Sequence, residues 1–181
     1  MKNKIRYGKT IIQYKVVKSK RRKTSEIIVD EKGVEVRTPI TKKDSQIKQL
    51  VDDKKRWIFK KKLEFSDRTR KKIKKTKPRS TKYLENRTKK LASTIGVNPS
   101  KIVIKKLKGR WGSSTKKGVI NLNIALTKAP TAVIDYIIIH ELCHLKVREH
   151  SRRYWLLVHK FMPDYKERQD WINAEGKRLM N

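Results

Sequence analysis

The fold of this chain is decided by the stretch Ile137-Ile138-Ile139-His140-Glu141-Leu142-Cys143-His144, with His150 close behind it. An α-helix advances about 100° per residue, so His140 and His144 lie about 40° apart on one face. Both imidazoles can then bind one metal ion, while Glu141 lies beside that face. Two histidines in this spacing, with a glutamate after the first, predict a zinc hydrolase site on a helix.

Zinc chemistry explains why the glutamate stands next to the ligands rather than among them. Zinc lowers the pKa of a bound water to about 7, and a nearby carboxylate can take its proton and pass it to a leaving amine. Glu141 is therefore the predicted catalytic acid and base. A catalytic zinc ion takes three protein ligands and keeps one position open. His150 is the predicted third ligand, because the residues between it and His144 let the helix end and the chain turn back.

Other interpretations of the same residues stay open. The third ligand can instead be a glutamate, and the chain offers Glu149, Glu167 and Glu175. The Cys143 thiolate can also bind zinc, although a buried, unreactive thiol is the preferred interpretation. The histidines can also be core residues satisfied by backbone hydrogen bonds, or the motif can be intact without metal or activity.

The histidine motif lies on a segment that is apolar nearly all round. Pro130 stands where the first turn of a helix tolerates proline, and apolar residues recur every three or four positions after it. These residues are Ile134, Ile137, Ile138, Leu142 and Leu145, with Val133, Tyr136 and Ile139 on the other sides. A helix of this kind is expected at the centre of a fold, where it holds metal ligands on a rigid element.

Two β-strands are predicted just before this helix. Residues 101–108 and 119–122 have strand-like patterns, and the glycine-flanked segment 109–114 lies between them, which together indicates a hairpin. An extended edge strand beside a metal can bind the backbone of a peptide by strand addition. The predicted substrate-binding residues lie in or beside this pair: Arg110, Trp111, Asn121 and Asn123. Arg110 and Trp111 can equally be the packed end of the hairpin.

Three segments are predicted within one structural domain that spans residues 5–175. Residues 1–40 form an N-terminal antiparallel β unit packed on the core, because apolar and polar residues alternate there. Residues 41–100 form a basic helical region that includes the polar stretch 66–78, and residues 101–181 form the catalytic core. The predicted fold class is α+β, with a short antiparallel sheet beside the central helix.

Basic residues far outnumber acidic ones. The chain has 50 lysines and arginines against 17 acidic residues, a net charge of +33. Residues 1–119 hold 40 basic and 10 acidic residues, whereas residues 120–181 hold 10 and seven. Such an excess attracts polyanions, so nucleic acid is a predicted partner of residues 1–119. The alternative function is a nucleic-acid- or ribosome-binding protein with a structural or vestigial zinc site, although lysine-rich genome composition can also produce this charge.

Secretion and membrane insertion both require a long apolar segment. The sequence contains no apolar run of 18 residues and no charged-then-apolar leader with a cleavage site, so neither secretion nor a membrane partner is expected. Cys143 is the single cysteine, which excludes an internal disulfide. We therefore expect a cytoplasmic location.

An ordered series of motifs resembles a known family. It comprises Gly109-Arg110-Trp111-Gly112-Ser113-Ser114, Ile120-Asn121-Leu122-Asn123, Pro130, Asp135-Tyr136, the histidine motif, His150-Ser151, Tyr154-Trp155 and Pro163-Asp164-Tyr165. The series is similar to that of the YgjP-like metallopeptidase family of bacteria and archaea. The resemblance covers residues 5–175 in order, and its motifs are specific to the family only from Arg110 onwards. The resemblance implies a zincin-type fold with one zinc ion held by His140, His144 and His150, and with Glu141 as catalytic acid and base. It also implies kinship with SprT-like proteases, which cut proteins bound to DNA.

Two residues depart from the pattern common in that family. Ser114 stands where members commonly have a cysteine, so a metal or redox role for that cysteine is absent here. Tyr154 stands where many members have phenylalanine, and it is an acceptable packing substitute. Neither position is a proposed ligand. The expected function is a zinc-dependent metallopeptidase acting on a protein or peptide substrate, with nucleic-acid-associated proteins as candidates.

Overall fold

The computed structural model describes residues 3–69 and 78–180. The chain divides into two compact units, Met1–Ile73 and Lys74–Asn181. Residues 70–77, which belong to the predicted polar stretch, lie outside the described residues. The three-segment division within one domain stays a prediction.

The first unit contains a four-stranded sheet and two helices. The strands are β1 (Asn3–Tyr7), β2 (Thr10–Ser19), β3 (Glu26–Asp30) and β4 (Gly33–Pro39), and the helices are α1 (Asp44–Asp53) and α2 (Lys55–Thr69). Alternate residues of β2 face inward, so Ile12 and Tyr14 are buried whereas Ile11 and Gln13 are exposed. Inward residues of the strands cluster with buried residues of both helices, and this cluster is the core of the unit.

The sheet of the first unit is mixed, which corrects the antiparallel unit predicted for residues 1–40. Its order is β1-β2-β4-β3. β1 with β2 and β3 with β4 are antiparallel pairs, but β2 and β4 are parallel, with Val16 opposite Val36. The reason is topological: β4 turns back from β3 into the position beside β2, so it runs in the same direction as β2.

The second unit contains helices on a three-stranded sheet. The elements are α3 (Thr81–Ile95), β5 (Lys101–Lys105), β6 (Gly112–Ser114), β7 (Val119–Asn123), a short 3-10 helix (Ile124–Lys128), α4 (Thr131–Cys143), α5 (Arg152–Phe161) and α6 (Tyr165–Met180). The order across the sheet is β5-β7-β6. The α+β class, with a short sheet beside a central helix, is therefore confirmed.

The pairing of the strands in this sheet corrects the predicted hairpin. β7 pairs with β6 in the antiparallel sense, whereas β5 and β7 are parallel, with Ile102 opposite Ile120. The hairpin partner of β7 is thus the three-residue strand Gly112–Ser114, which the sequence indicated only as a loop. The chain crosses from β5 to the far side of the sheet before it turns back into β7, and this crossover makes β5 and β7 parallel.

α4 is buried on nearly all sides, as the sequence predicted. Ile134, Ile138 and Leu142 have no exposed surface, and Val133 and Ile139 are also buried. These residues belong to one core cluster with residues of α3, α5, α6 and β7. The helix is therefore a rigid support for the side chains at its carboxyl end. None of the helices within the described residues is long and apolar enough to span a bilayer.

Candidate metal and active site

Three histidines converge where α4 ends. His140 lies in the last turn of α4, His144 directly follows the helix, and His150 ends the segment that leads to α5. The Nε2 atom of His150 is 3.1 Å from Nε2 of His144 and 3.2 Å from Nε2 of His140. Nitrogens bound to a tetrahedral zinc ion at 2.0–2.1 Å are about 3.3 Å apart, so these spacings fit one metal ion between the three rings. The structure thus brings together the three predicted ligands.

The orientation of the His144 ring favours metal binding. Its Nδ1 lies 3.2 Å from the carbonyl oxygen of Val147. A proton on Nδ1 donates to that carbonyl and leaves the lone pair of Nε2 directed at the other two histidines. Nδ1 of His140 is buried and has no hydrogen-bond partner in the described parts of the chain, so packing alone orients that ring.

Burial also sets the protonation of the cluster. Together with the neighbouring charges of His144 and His150, it lowers the pKa of His140 to about 3. Burial likewise lowers the pKa of His144. Both rings are therefore neutral near pH 7, and the neutral imidazole is the form that binds a metal ion.

Two aromatic residues at the start of α5 hold the histidine rings in place. Tyr154 stacks on His144 with ring centroids 4.4 Å apart, and its hydroxyl donates to the carbonyl oxygen of His140 at 2.9 Å. Trp155 stacks on His150 at 5.5 Å. From the sequence, these two residues were part of the motif series, with Tyr154 as a packing substitute, and their contacts with the histidine rings were not predicted. Their position just after the third histidine is the signal that could have identified this role.

Glu141 lies in a buried space beside β6 and is not part of the ligand cluster. Its side chain is 6% exposed, and burial raises its pKa to about 7, an effect that the charge of Arg110 opposes. Gly112 is the neighbour that makes this space: a Cβ atom there would lie 2.7 Å from Cγ and 2.8 Å from Oε1 of Glu141. Strand β6 therefore passes directly over the carboxyl group. Sequence reasoning missed this contact, because it depends on how β6 and α4 pack.

β6 is an edge strand, and half of its backbone groups point away from the sheet. The amide of Asn123 donates to Trp111 at 2.8 Å, and the amide of Thr115 donates to Val119 at 3.0 Å. Since hydrogen-bonded pairs alternate in an antiparallel ladder, Gly112 and Ser114 direct their N–H and C=O groups to the outer edge. The Arg148 guanidinium reaches the carbonyl oxygens of Ser114 and Thr115 at one end of that edge.

The four predicted substrate-binding residues surround this strand in different ways. Arg110 is exposed and acts on Glu141 through its charge. Trp111 is half-buried, and its ring packs so closely on α6 that a Cβ atom at Gly176 would lie 2.8 Å from it. Asn121 donates to the Ser113 hydroxyl at 3.2 Å, across the ladder of β6 and β7. A contact of any of the three with substrate stays a prediction.

Asn123, the fourth of these residues, has a structural environment. Its side chain is buried, and its amide nitrogen donates to the carbonyl oxygens of Leu107 and Arg110 at 2.8 and 2.9 Å. Its amide oxygen accepts from the backbone of Ala125 at 3.1 Å. Asn123 thus fixes the loop that presents Arg110, while its contact with substrate also stays a prediction.

The alternative ligands lie apart from the histidine cluster. Among the described residues, the grouping of three potential ligand side chains consists of the histidines alone. Glu167 lies 3.3 Å from Arg168, and Glu175 lies 3.8 Å from Arg178. Cys143 is buried, and burial raises the pKa of its thiol to about 12, which disfavours the thiolate that a metal would bind.

Comparisons with known proteins place the chain among metallopeptidases. No curated protein sequence matches it. The crystal structure of the metallopeptidase zymogen of Pyrococcus abyssi abylysin is similar at 26% identity, covering 52% of this chain and 93% of that one, with a TM-score of 0.45. That of Methanocaldococcus jannaschii jannalysin is similar at 20% identity, covering 52% and 96%, with a TM-score of 0.45. Residues 68–175 match the family described as YgjP-like, metallopeptidase domain, and since this is more than half of the sequence, the chain belongs to the YgjP-like metallopeptidase family.

Proposed function

We propose that this chain is a zinc-dependent metallopeptidase in which His140, His144 and His150 hold one zinc ion. The observation that supports this most directly is the convergence of their three Nε2 atoms at spacings that fit tetrahedral coordination. Three imidazoles with a glutamate close by make zinc the default among the first-row metals. Such an ion supplies Lewis acidity, which acidifies water and polarises the carbonyl of a peptide bond.

Glu141 is the proposed general base and acid. Its carboxyl group follows the first ligand on α4 and lies against the backbone of β6 rather than in the ligand cluster. From this position it can accept a proton from water during attack and donate it to the amine that leaves. Arg110 is the proposed source of positive charge near that carboxyl group.

The outer edge of β6 is the proposed docking site for the substrate backbone. A peptide in extended conformation can pair with the outward N–H and C=O groups of Gly112 and the N–H group of Ser114, as an added strand does. Because Gly112 lies against Glu141, a peptide on this edge is held beside the proposed general base. Backbone pairing depends little on the side chains of the peptide, so selectivity among peptide sequences must come from neighbouring pockets.

The zinc content of the full chain, purified without added metal, tests the ligand assignment. We expect near-stoichiometric zinc in the native protein and its loss in His144→Ala. His159→Ala is the matched control, because His159 is the fourth histidine of the chain and lies outside the cluster, so this variant should retain zinc. Near-stoichiometric zinc in His144→Ala would contradict the ligand assignment.

A second variant separates metal binding from catalysis. Glu141→Gln should keep zinc but lose hydrolysis of peptides by a factor of about 10² to 10⁴, the usual contribution of general acid–base catalysis. Undiminished hydrolysis by this variant would remove the catalytic role of Glu141. No hydrolysis by the native, zinc-loaded protein across a broad peptide library would contradict the proposed function itself.

A further inference from the structure

The second unit contains an open pocket on the far side of Trp155 from the histidine cluster. Its volume is about 300 Å³. Trp155, Leu156, Pro163 and Tyr165 supply its apolar lining, and the basic residues around it are Arg152, His159 and Lys166. We infer that this pocket is a substrate subsite that binds an acidic side chain, glutamate or aspartate, of the peptide to be cleaved. The inference rests on the proposed peptidase function.

Trp155 connects the pocket to the proposed metal site. Its indole ring is sandwiched between the rings of His150, at 5.5 Å and 21°, and Tyr165, at 5.3 Å and 16°. The Tyr165 wall of the pocket therefore lies no more than about 11 Å from the ring of a proposed ligand, the length of about three residues of extended chain. A side chain two or three residues from the cleaved bond can reach the pocket.

The arrangement of α5 explains why these side chains share one surface. Arg152, Trp155, Leu156 and His159 follow the spacing i, i+3, i+4 and i+7, which places them on one face of the helix. The loop after α5 and the first turn of α6 add the opposite wall. Leu156 is 60% exposed, the largest value among the exposed large apolar residues in the described parts of the chain. An apolar side chain this exposed suits the methylene groups of a bound side chain.

The charge of the pocket is uncompensated. Its lining contains no carboxylate. The acidic residues closest to Lys166 in sequence are paired with another cation, since Arg168 lies 2.6 Å from Asp164 and 3.3 Å from Glu167. In the described parts of the chain, neither Arg152 nor Lys166 forms an ion pair. Positive charge next to an apolar wall complements a carboxylate on a short aliphatic stem.

The positive charge of the pocket is a local feature and not a property of the surrounding sequence. Residues 120–181 contain 10 basic and seven acidic residues, a net of +3, so a basic pocket is not the general condition of this part of the chain. Within the described residues of this part, Arg168 and Arg178 are paired with acids. Arg152 and Lys166, which have no ion pair in the described parts of the chain, both line the pocket where the helix face of α5 meets the start of α6.

Peptide cleavage by the full-length, zinc-loaded protein tests the subsite. The substrates are peptides of one sequence that carry glutamate, glutamine or lysine at a single position, scanned over three residues on either side of the cleaved bond. We expect one position at which glutamate raises kcat/KM about tenfold over glutamine, the worth of a hydrogen bond to a charged group. The double variant Arg152→Glu, Lys166→Glu should reverse this preference in favour of lysine.

Arg153→Glu is the matched control for that charge reversal. Arg153 is the exposed neighbour of Arg152 on the same helix and does not line the pocket. The single variant should retain the preference for glutamate, because only the general charge of the protein changes. Equal kcat/KM for the glutamate and glutamine peptides at every position, or the same reversal in Arg153→Glu, would overturn the inference.

A binding measurement separates failure of the subsite from failure of the proposed function. Fluorescein-labelled glutamate and glutamine peptides are titrated with zinc-loaded Glu141→Gln protein, and affinity is read from anisotropy. Tighter binding of the glutamate peptide that is lost in the background of Arg152→Glu, Lys166→Glu supports the subsite even if the native protein cleaves nothing. Equal affinity for the two peptides rules the subsite out whether or not cleavage occurs.

Discussion

The two units of this chain carry almost the same charge and very different chemistry. Residues 1–73 hold 25 basic and nine acidic residues, a net of +16, and residues 74–181 hold 25 and eight, a net of +17. All four histidines and the single cysteine belong to the second unit. Charge therefore does not distinguish the units, whereas the placement of ligand side chains does.

The charge comparison also bears on the predicted polyanion partner. Counted from the sequence, the basic excess lies in residues 1–119, ahead of the histidine motif. The boundary between the compact units lies at residue 73 instead, so that excess spans both of them. Nucleic-acid binding by residues 1–119 stays a prediction.

The cores of the units differ in what they support. The first core joins one face of a sheet to α1 and α2. The second surrounds α4, and the residues that frame the proposed metal site, Tyr154 and Trp155 among them, belong to or pack on it. Stability of the first unit and chemistry of the second should therefore respond to different substitutions.

The largest expected effect is on the stability of the first unit. Ile12→Ala removes a fully buried side chain from β2 and should lower the free energy of unfolding of this unit by about 2–5 kcal/mol, through lost burial and a cavity. The zinc content of the protein should not change, since the proposed ligands lie in the other unit. Hydrogen exchange of peptides from residues 3–39, followed by mass spectrometry, measures the first effect.

Ile11→Ala is the control for this substitution. Ile11 is the preceding residue on the same strand but is 53% exposed, so its truncation should change stability by no more than about 0.5 kcal/mol. Loss of zinc from Ile12→Ala would show that the two units depend on one another. Equal costs for the two variants would contradict the assignment of the inner face of β2.

The next effect concerns chemistry in the second unit. Gly112→Ala places a methyl group within 2.8 Å of the Glu141 carboxylate, and the flexible side chain of Glu141 must move away. We expect the fold and the zinc content to survive while kcat for peptide hydrolysis falls by about 10²-fold, as expected for a displaced catalytic group. Ser113→Ala, on the same strand, loses only a hydrogen bond to Asn121 and should keep most of the activity. Native kcat in Gly112→Ala would exclude close contact between β6 and Glu141 during catalysis.

The sequence predicts the central helix and the ligand cluster because their signals are local. The apolar periodicity of α4 and the spacing of His140 and His144 lie within a few turns of one helix. The prediction of His150 as third ligand rested only on the number of residues between it and His144, and the structure brings it to the other two rings. The sequence pattern within the helix therefore predicts these positions independently of how the surrounding strands pair.

Strand pairing and close contacts were not predictable in the same way. The parallel pairs β2–β4 and β5–β7 join strands that are not consecutive in the chain, whereas sequence reasoning paired adjacent strands. The crowding of Gly112 against Glu141, and the sandwich of Trp155 between two rings, likewise depend on packing between separate elements. No periodicity within a single segment contains that information.

The smallest effect compares two ion pairs, one in each unit. Arg87 on α3 donates two hydrogen bonds of 2.6 Å to Asp135 on α4, and the two side chains are 29% and 14% exposed. In the first unit Lys18 on β2 contacts Asp44 on α1 at 2.7 Å, but with exposures of 36% and 89%. Both pairs join separate elements, so they differ mainly in burial and in the number of hydrogen bonds.

Arg87→Ala should destabilise the second unit by about 1–3 kcal/mol, because it leaves a half-buried carboxylate without its partner. Lys18→Ala should cost the first unit less than about 1 kcal/mol, since water replaces the lost contact of an exposed pair. Arg87→Lys should recover only part of the loss, because an ammonium group cannot form the two parallel bonds of a guanidinium. Urea unfolding followed by hydrogen exchange in each unit compares the variants. Equal costs for Arg87→Ala and Lys18→Ala would show that burial of the α3–α4 pair adds nothing to the stability of the helix that carries His140.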